Sequence, residues 1–129
     1  MKKFVTLLLC MLPISLFAQV NDGIRQAMDN YDYETVVMLI ESDCQDSLLL
    51  ITKAQALKAM NRYPEAIGVL NSLILKDSTN TKVLIDLAEC YKLTGNSRRA
   101  ANCYQKAMNL QPENKFFRLQ FIRSLLDSE

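Results

Sequence analysis

The chain has 129 residues, enough for one domain, and 50% of them are hydrophobic, which is ordinary for a globular protein. Its 15 basic and 14 acidic residues give a formal net charge of +1, which excludes the strongly basic surface of a typical nucleic-acid-binding protein. Histidine is absent, which excludes Ser-His-Asp, Cys-His and histidine–metal sites, and glycine and proline, at three each, are too sparse for a turn-rich β protein.

Residues 1–18 have the three-part plan of a secretory signal peptide. Lys2 and Lys3 precede an apolar run from Phe4 to Phe17, and the small residue Ala18 follows it. The run is shorter than the roughly 20 residues that a membrane-spanning helix needs. Its end, Leu-Phe-Ala-Gln, resembles bacterial export signals. We therefore expect cleavage after Ala18 and an exported protein, periplasmic or secreted, with no membrane span after cleavage.

Residues 19–46 are interpreted as a degenerate first helical hairpin. The stretch GIRQAMDNYDYETVVMLIES predicts two helices around the turn DNYDY, and Asp32 is a suitable N-cap for the second helix. The register of this hairpin fits the period of the following residues poorly.

Residues 47–80 and 81–114 are two copies of one pattern with a period of 34 residues. The identical pairs are Leu50 and Leu84, Ile51 and Ile85, Ala54 and Ala88, Lys58 and Lys92, Ala66 and Ala100, and Asn80 and Asn114. In each unit the apolar residues have helical spacing in two blocks, which predicts two amphipathic helices joined by a tight turn. Asn61 and Gly95 lie in these turns and suit a helix C-terminus with positive φ.

The second unit carries a fuller set of signature residues: Leu84, Leu87, Ala88, Tyr91, Gly95, Ala100, Tyr104, Ala107 and Pro112. In this set and order it resembles the tetratricopeptide repeat, with Leu84 for the usual Trp and Ala88 for the usual Gly. Residues 47–80 are a weaker match. The resemblance implies an all-α fold, a right-handed α-solenoid of antiparallel helix pairs with about two and a half to three repeats. Small residues at 88, 100 and 107 would let helix backbones approach closely.

Residues 115–129 predict one more first helix, either a capping helix or a truncated repeat, with no second helix after it. Its large apolar residues surround most of the helix: Phe116, Phe117, Leu119, Phe121, Ile122, Leu125 and Leu126. Two interpretations stay open. The chain is shortened from a longer array, or this helix meets another protein or a second copy of the chain.

The resemblance also implies that the first helices of the units line a concave groove that binds an extended peptide or a helix of a partner protein. The candidate partner-binding residues are Leu48, Ile51, Gln55, Lys58, Lys82, Ile85, Glu89, Lys92, Phe116, Leu119 and Arg123. Burial of the apolar members against a neighbouring helix is the competing interpretation. Ile51 and Gln55 stand where one family subclass has a Lys and Asn pair that grips C-terminal carboxylates, so that activity is not expected. The alternative function is a self-assembling or truncated module whose interface is residues 115–129.

The sequence gives no support for catalysis, a metal or a cofactor. Asp86 and Glu89 are three residues apart and could form a carboxylate pair, but a solvated helix face near Lys82 and Lys92 is the preferred interpretation. After signal cleavage the cysteines are Cys44, Cys90 and Cys103. We interpret Cys90 and Cys103 as buried thiols, and a bridge between them is the alternative. We therefore expect a non-enzymatic scaffold.

Overall fold

The computed structural model describes Leu16, residues 18–41 and residues 44–129, and every regular element among them is helical. The helices are α1 (residues 18–29), α2 (Tyr33–Leu39), α3 (Ser47–Ala59), α4 (Tyr63–Lys76), α5 (Thr81–Leu93), α6 (Ser97–Leu110) and α7 (Lys115–Leu126). The predicted signal peptide lies almost wholly outside the described residues.

The first helix of each unit begins at a capping side chain that recurs every 34 residues. Asp46, Asn80 and Asn114 precede α3, α5 and α7, and each side chain accepts at least one hydrogen bond from a backbone N–H of the first turn. Asp32 caps α2 in the same way and accepts from the backbone of Thr35, as the sequence predicts. The signals that begin these helices are therefore local and periodic.

The turns between the two helices of each unit contain one residue in the left-handed region. Asn61 has a φ of 59° and Gly95 a φ of 78°, which confirms the positive φ predicted at both places. In the first hairpin this conformation falls on Tyr31, with a φ of 58°. A bulky residue pays a steric cost there that Gly95 does not, which fits the irregular first hairpin.

The core runs between consecutive helices, since each helix from α2 to α7 packs on the next. Ala88, Ala100 and Ala107 are completely buried, as expected for residues that allow close approach of helix backbones. The largest apolar cluster joins α3, α4, α5 and α6, and a smaller one joins α1, α2 and α3 around Val36 and Ala56. This is the all-α repeat architecture that the sequence predicts.

Helix α7 is buried on one side only. Phe117 packs with Leu84 and Ala107 in a third cluster, and Phe121 contacts the main core. The remaining large apolar residues of α7 are exposed: Phe116, Leu119, Ile122, Leu125 and Leu126. Within residues 115–129, packing on α6 therefore uses a minority of the apolar side chains.

Candidate functional site

The first helices of the units, α1, α3, α5 and α7, lie beside one another and form one surface, which we call the inner face. Side-chain contacts join these helices directly. Lys58 on α3 bonds to Asp86 and Glu89 on α5. Lys92 on α5 donates to Gln120 on α7. Helices α3, α5 and α7 are therefore joined into one continuous surface, and α1 adjoins α3 across a shared cavity.

Lys58 is the centre of an ion triad on the inner face. Its Nζ lies 3.0 Å from Oδ1 of Asp86 and 2.6 Å from Oε2 of Glu89. The side chains of Lys58 and Asp86 are 19% and 20% exposed, so this pair is largely shielded from water, whereas Glu89 is 54% exposed. Burial by itself lowers the pKa of Lys58, but the bonds and charges of Glu89 and Asp86 outweigh it and raise the pKa above 10.5. The ammonium group of Lys58 is therefore protonated, and the carboxylates of Asp86 and Glu89 balance its charge.

Lys92 occupies the position of Lys58 one unit later, but its surroundings differ. The residue in the place of Asp86 is the neutral Gln120, whose Oε1 accepts from Lys92 at 3.4 Å. Within the described part of the chain, no carboxylate comes within salt-bridge distance of Lys92. The half-buried Lys92 therefore keeps a positive charge that a ligand can use.

Two cavities open on the inner face. One, of about 350 Å³, lies between α5 and α7 and contains both apolar and charged groups. Its lining is Ile85, Glu89, Lys92, Leu93, Tyr104, Phe116 and Gln120. The other, of about 430 Å³, lies between α1 and α3, and Leu48, Gln55 and Arg25 contribute to it. We call the first the α5–α7 cavity and the second the α1–α3 cavity.

The predicted binding residues are divided between these features. Ile85, Glu89, Lys92 and Phe116 come together at the α5–α7 cavity, while Leu48 and Gln55 meet at the α1–α3 cavity. Lys58 lies between the two as the centre of the triad.

The other predicted residues lie outside the two cavities or pack partly against the core. Lys82, Leu119 and Arg123 are exposed and enter neither cavity. Ile51 is half-buried against the main core, and Ile85 also packs there. These two isoleucines therefore support the fold as well as the surface, as the burial interpretation expects.

The interpretation of Asp86 and Glu89 as a solvated helix face near Lys82 and Lys92 holds for Glu89, which is 54% exposed, but not for Asp86, which is 20% exposed. Both carboxylates bond to Lys58 on the preceding first helix, because α3 and α5 lie side by side on the inner face. Gln120 is a further residue of this surface that the sequence-based list of candidate binding residues does not contain. The 34-residue period would have found it, since Gln120 occupies the place of Asp86 and faces the lysine that replaces Lys58.

Among the described residues, Cys44, Cys90 and Cys103 are free thiols, so the structure has no Cys90–Cys103 bridge. Burial raises the pKa of the Cys103 thiol to about 11. Among the described residues, no group of three or more Cys, Asp or Glu side chains could hold a metal ion. The same part of the chain has no helix with the length and hydrophobicity needed to cross a membrane.

The tetratricopeptide repeat family model matches residues 57–120. A curated relative from Dictyostelium discoideum, described as DnaJ homolog subfamily C member 7 homolog, is 34% identical over 86 residues. That match covers 65% of this chain but only 16% of the relative. The match therefore spans about a sixth of the length of this relative.

Solved structures show the same fold. The Yersinia enterocolitica type III secretion chaperone SycD, in complex with a peptide of the translocator YopD, superposes with a TM-score of 0.71 at 20% identity. The alignment covers 89% of this chain and 96% of SycD. The first repeat domain of Spaghetti (RPAP3), bound to an HSP90 peptide, gives a TM-score of 0.66 at 16% identity and covers 88% of this chain and 90% of that one. At such identities the likeness establishes the fold, an all-α tetratricopeptide-repeat-like solenoid.

Proposed function

We propose that this chain, whose residues 57–120 match the tetratricopeptide repeat family model, is a non-catalytic scaffold that binds a segment of a partner protein on its inner face. The observation that carries the proposal is the α5–α7 cavity, where Phe116, Ile85 and the uncompensated Lys92 converge. We take the inner face to be the concave groove that the family resemblance implies. SycD and the RPAP3 domain each hold a peptide in their solved complexes, which supports a peptide as the ligand class here.

The charges of the inner face favour a particular kind of segment. At the triad two carboxylates share one lysine, so that region repels an acidic ligand. At the α5–α7 cavity the carboxylate of Glu89 is already paired with Lys58, so Lys92 is the group that attracts an acidic side chain, and Phe116, 51% exposed, offers apolar surface beside it. We infer that the partner segment places a large apolar side chain against Phe116 and an Asp or Glu side chain near Lys92.

The proposal is tested by selecting binders from a displayed library of random peptides with the purified chain. Enriched peptides should combine an apolar residue with a neighbouring Asp or Glu. Phe116→Ala should weaken the selected peptides about tenfold, because buried aromatic anchors carry more than their share of binding energy. Lys92→Met should weaken them about two- to fivefold, and less at high salt.

Leu75→Ala is the matched control, since Leu75 lies on α4, outside the inner face, with 88% of its surface exposed. It should leave the affinity unchanged. Selected peptides that bind all three variants as tightly as the unmodified chain would place the binding site elsewhere and refute the assignment of the α5–α7 cavity.

We also propose that the protein is exported, which rests on the three-part pattern of residues 1–18. Expression of the chain in a bacterium with an export apparatus should yield a product that begins at Gln19. A cytoplasmic product with an intact Met1–Ala18 segment would refute this proposal without affecting the binding site.

A further inference from the structure

Helix α7 exposes an apolar stripe that the inner-face cavities do not use. It consists of Leu119, Ile122, Leu125 and Leu126, which are between 43% and 65% exposed. Their spacing of three and four residues places them on one side of the helix, opposite the buried Phe117 and Ser124. Phe116, the aromatic of the α5–α7 cavity, lies outside this stripe.

The repeat register shows what kind of structure covers such a stripe. Ile122 and Leu125 occupy the places of Ala88 and Tyr91, one unit earlier. Those two residues are buried in the cluster that α5 shares with α6. Within residues 18–41 and 44–129 no helix covers α7 in the corresponding way. Ile122 and Leu125 therefore lie on the side of a first helix on which another helix normally packs, whereas Leu119 and Leu126, in the places of Ile85 and Lys92, extend the stripe toward the inner face.

The charges at the two ends of the stripe have opposite signs. Lys115 and Arg118 lie in the first turn of α7, whereas Asp127 and Glu129 follow its last residue. None of these four side chains forms a salt bridge with any residue that the structure describes. The basic first turn and the acidic residues after the last turn are both unfavourable for the helix dipole, whereas Arg123 in the last turn is favourable. Lys115, Arg118, Asp127 and Glu129 therefore gain nothing from the dipole of α7 itself.

We propose that the stripe binds a second copy of this chain, with the two α7 helices antiparallel and related by a two-fold axis at Ile122. This arrangement packs Ile122 on the partner's Ile122 and Leu119 beside the partner's Leu125. It also brings Lys115 next to the partner's Glu129, and the symmetry repeats each contact. A parallel pair would oppose Lys115 to Lys115 and Glu129 to Glu129. The pairing of Lys115 with the partner's Glu129 thus favours a second copy of the chain in the antiparallel direction.

This inference does not depend on the proposed peptide site. The stripe and the α5–α7 cavity share no residue, so a substitution at Ile122 leaves the lining of the cavity unchanged. A dimer would present two such cavities, one on each copy.

The first experiment is sedimentation equilibrium of the full chain over a concentration series. The unmodified chain should show a reversible monomer–dimer equilibrium. Ile122→Asp should be monomeric throughout, because it buries two carboxylates at the symmetry axis. Leu75→Asp, an equal change at an exposed leucine of α4, should dimerise like the unmodified chain. Circular dichroism of each variant verifies that the helices are intact.

The second experiment tests the direction of pairing. Lys115→Glu and Glu129→Lys should each weaken the dimer about 2- to 30-fold, since each change affects two symmetric ion pairs. The double variant should recover the affinity of the unmodified chain. A chain that is monomeric at every concentration, or an Ile122→Asp variant that still dimerises, overturns the proposal. Failure of the double variant to recover overturns the antiparallel arrangement.

Discussion

Replacement of Lys58 by methionine tests whether the ion triad on the inner face stabilises the fold. Methionine keeps an apolar stem of similar length but leaves the shielded Asp86 and the neighbouring Glu89 without a cation. The bond to Asp86 joins two side chains that are about 80% buried, so its loss is worth about 1.5 to 3 kcal/mol, and the exposed bond to Glu89 adds less than about 1 kcal/mol. The substitution also removes the cost of taking the Lys58 ammonium group out of water, which reduces the net loss of stability. We expect Lys58→Met to lower the free energy of unfolding by about 2 kcal/mol.

The assay is urea unfolding monitored by circular dichroism at neutral pH, with Lys92→Met as the matched control. Lys92 has the same register in the next unit but makes a single 3.4 Å bond to the neutral Gln120. Its replacement should cost less than about 0.5 kcal/mol. Adding Asp86→Asn to Lys58→Met should restore part of the loss, because it removes the unpaired carboxylate. Equal losses for Lys58→Met and Lys92→Met would refute the reasoning.

The same contribution has a defined pH dependence. The pKa of Lys58 is raised above 10.5 in the folded chain, so the folded state holds this proton more tightly than the unfolded state. The stabilisation is fully present below pH 10.5 and is lost as the pH rises through the higher pKa of the folded chain. The difference in stability between the unmodified chain and Lys58→Met should therefore be constant near neutral pH and shrink only under strongly alkaline conditions.

Three further predictions concern single positions. Ser124 is completely buried and its hydroxyl has no hydrogen-bond partner among the described residues, so Ser124→Ala should raise the free energy of unfolding by about 1 kcal/mol in urea titrations. Gly95→Ala should lower it by about 1 kcal/mol through the backbone alone, since its φ is 78° and no atom lies within 4 Å of an added Cβ. Asn61→Gly, at the equivalent turn, should not lower the free energy of unfolding. In the folded chain a thiol reagent at neutral pH should modify Cys44 well before Cys103, whose buried thiol has a pKa of about 11, as peptide mapping can show.

The beginnings and turns of the helices could be predicted because their causes lie within a few residues. Asp46, Asn80 and Asn114 cap helices with their own side chains, and Gly95 relieves a local steric conflict. The candidate site could be predicted only in part. The period of 34 residues identified which helix faces lie together, but it did not say which side chains on those faces bond to each other.

The sequence by itself determined the repeat, its helix boundaries and the small residues of its interfaces, because capping, turn geometry and helical spacing are local properties that recur at each unit. Only the tertiary structure decided that Lys58 is neutralised while Lys92 is not, because their partners lie on helices 28 to 31 residues further along the chain. It also decided which apolar residues of α7 are buried. The sequence places them around most of the helix, and packing against α6 covers only the side that carries Phe117.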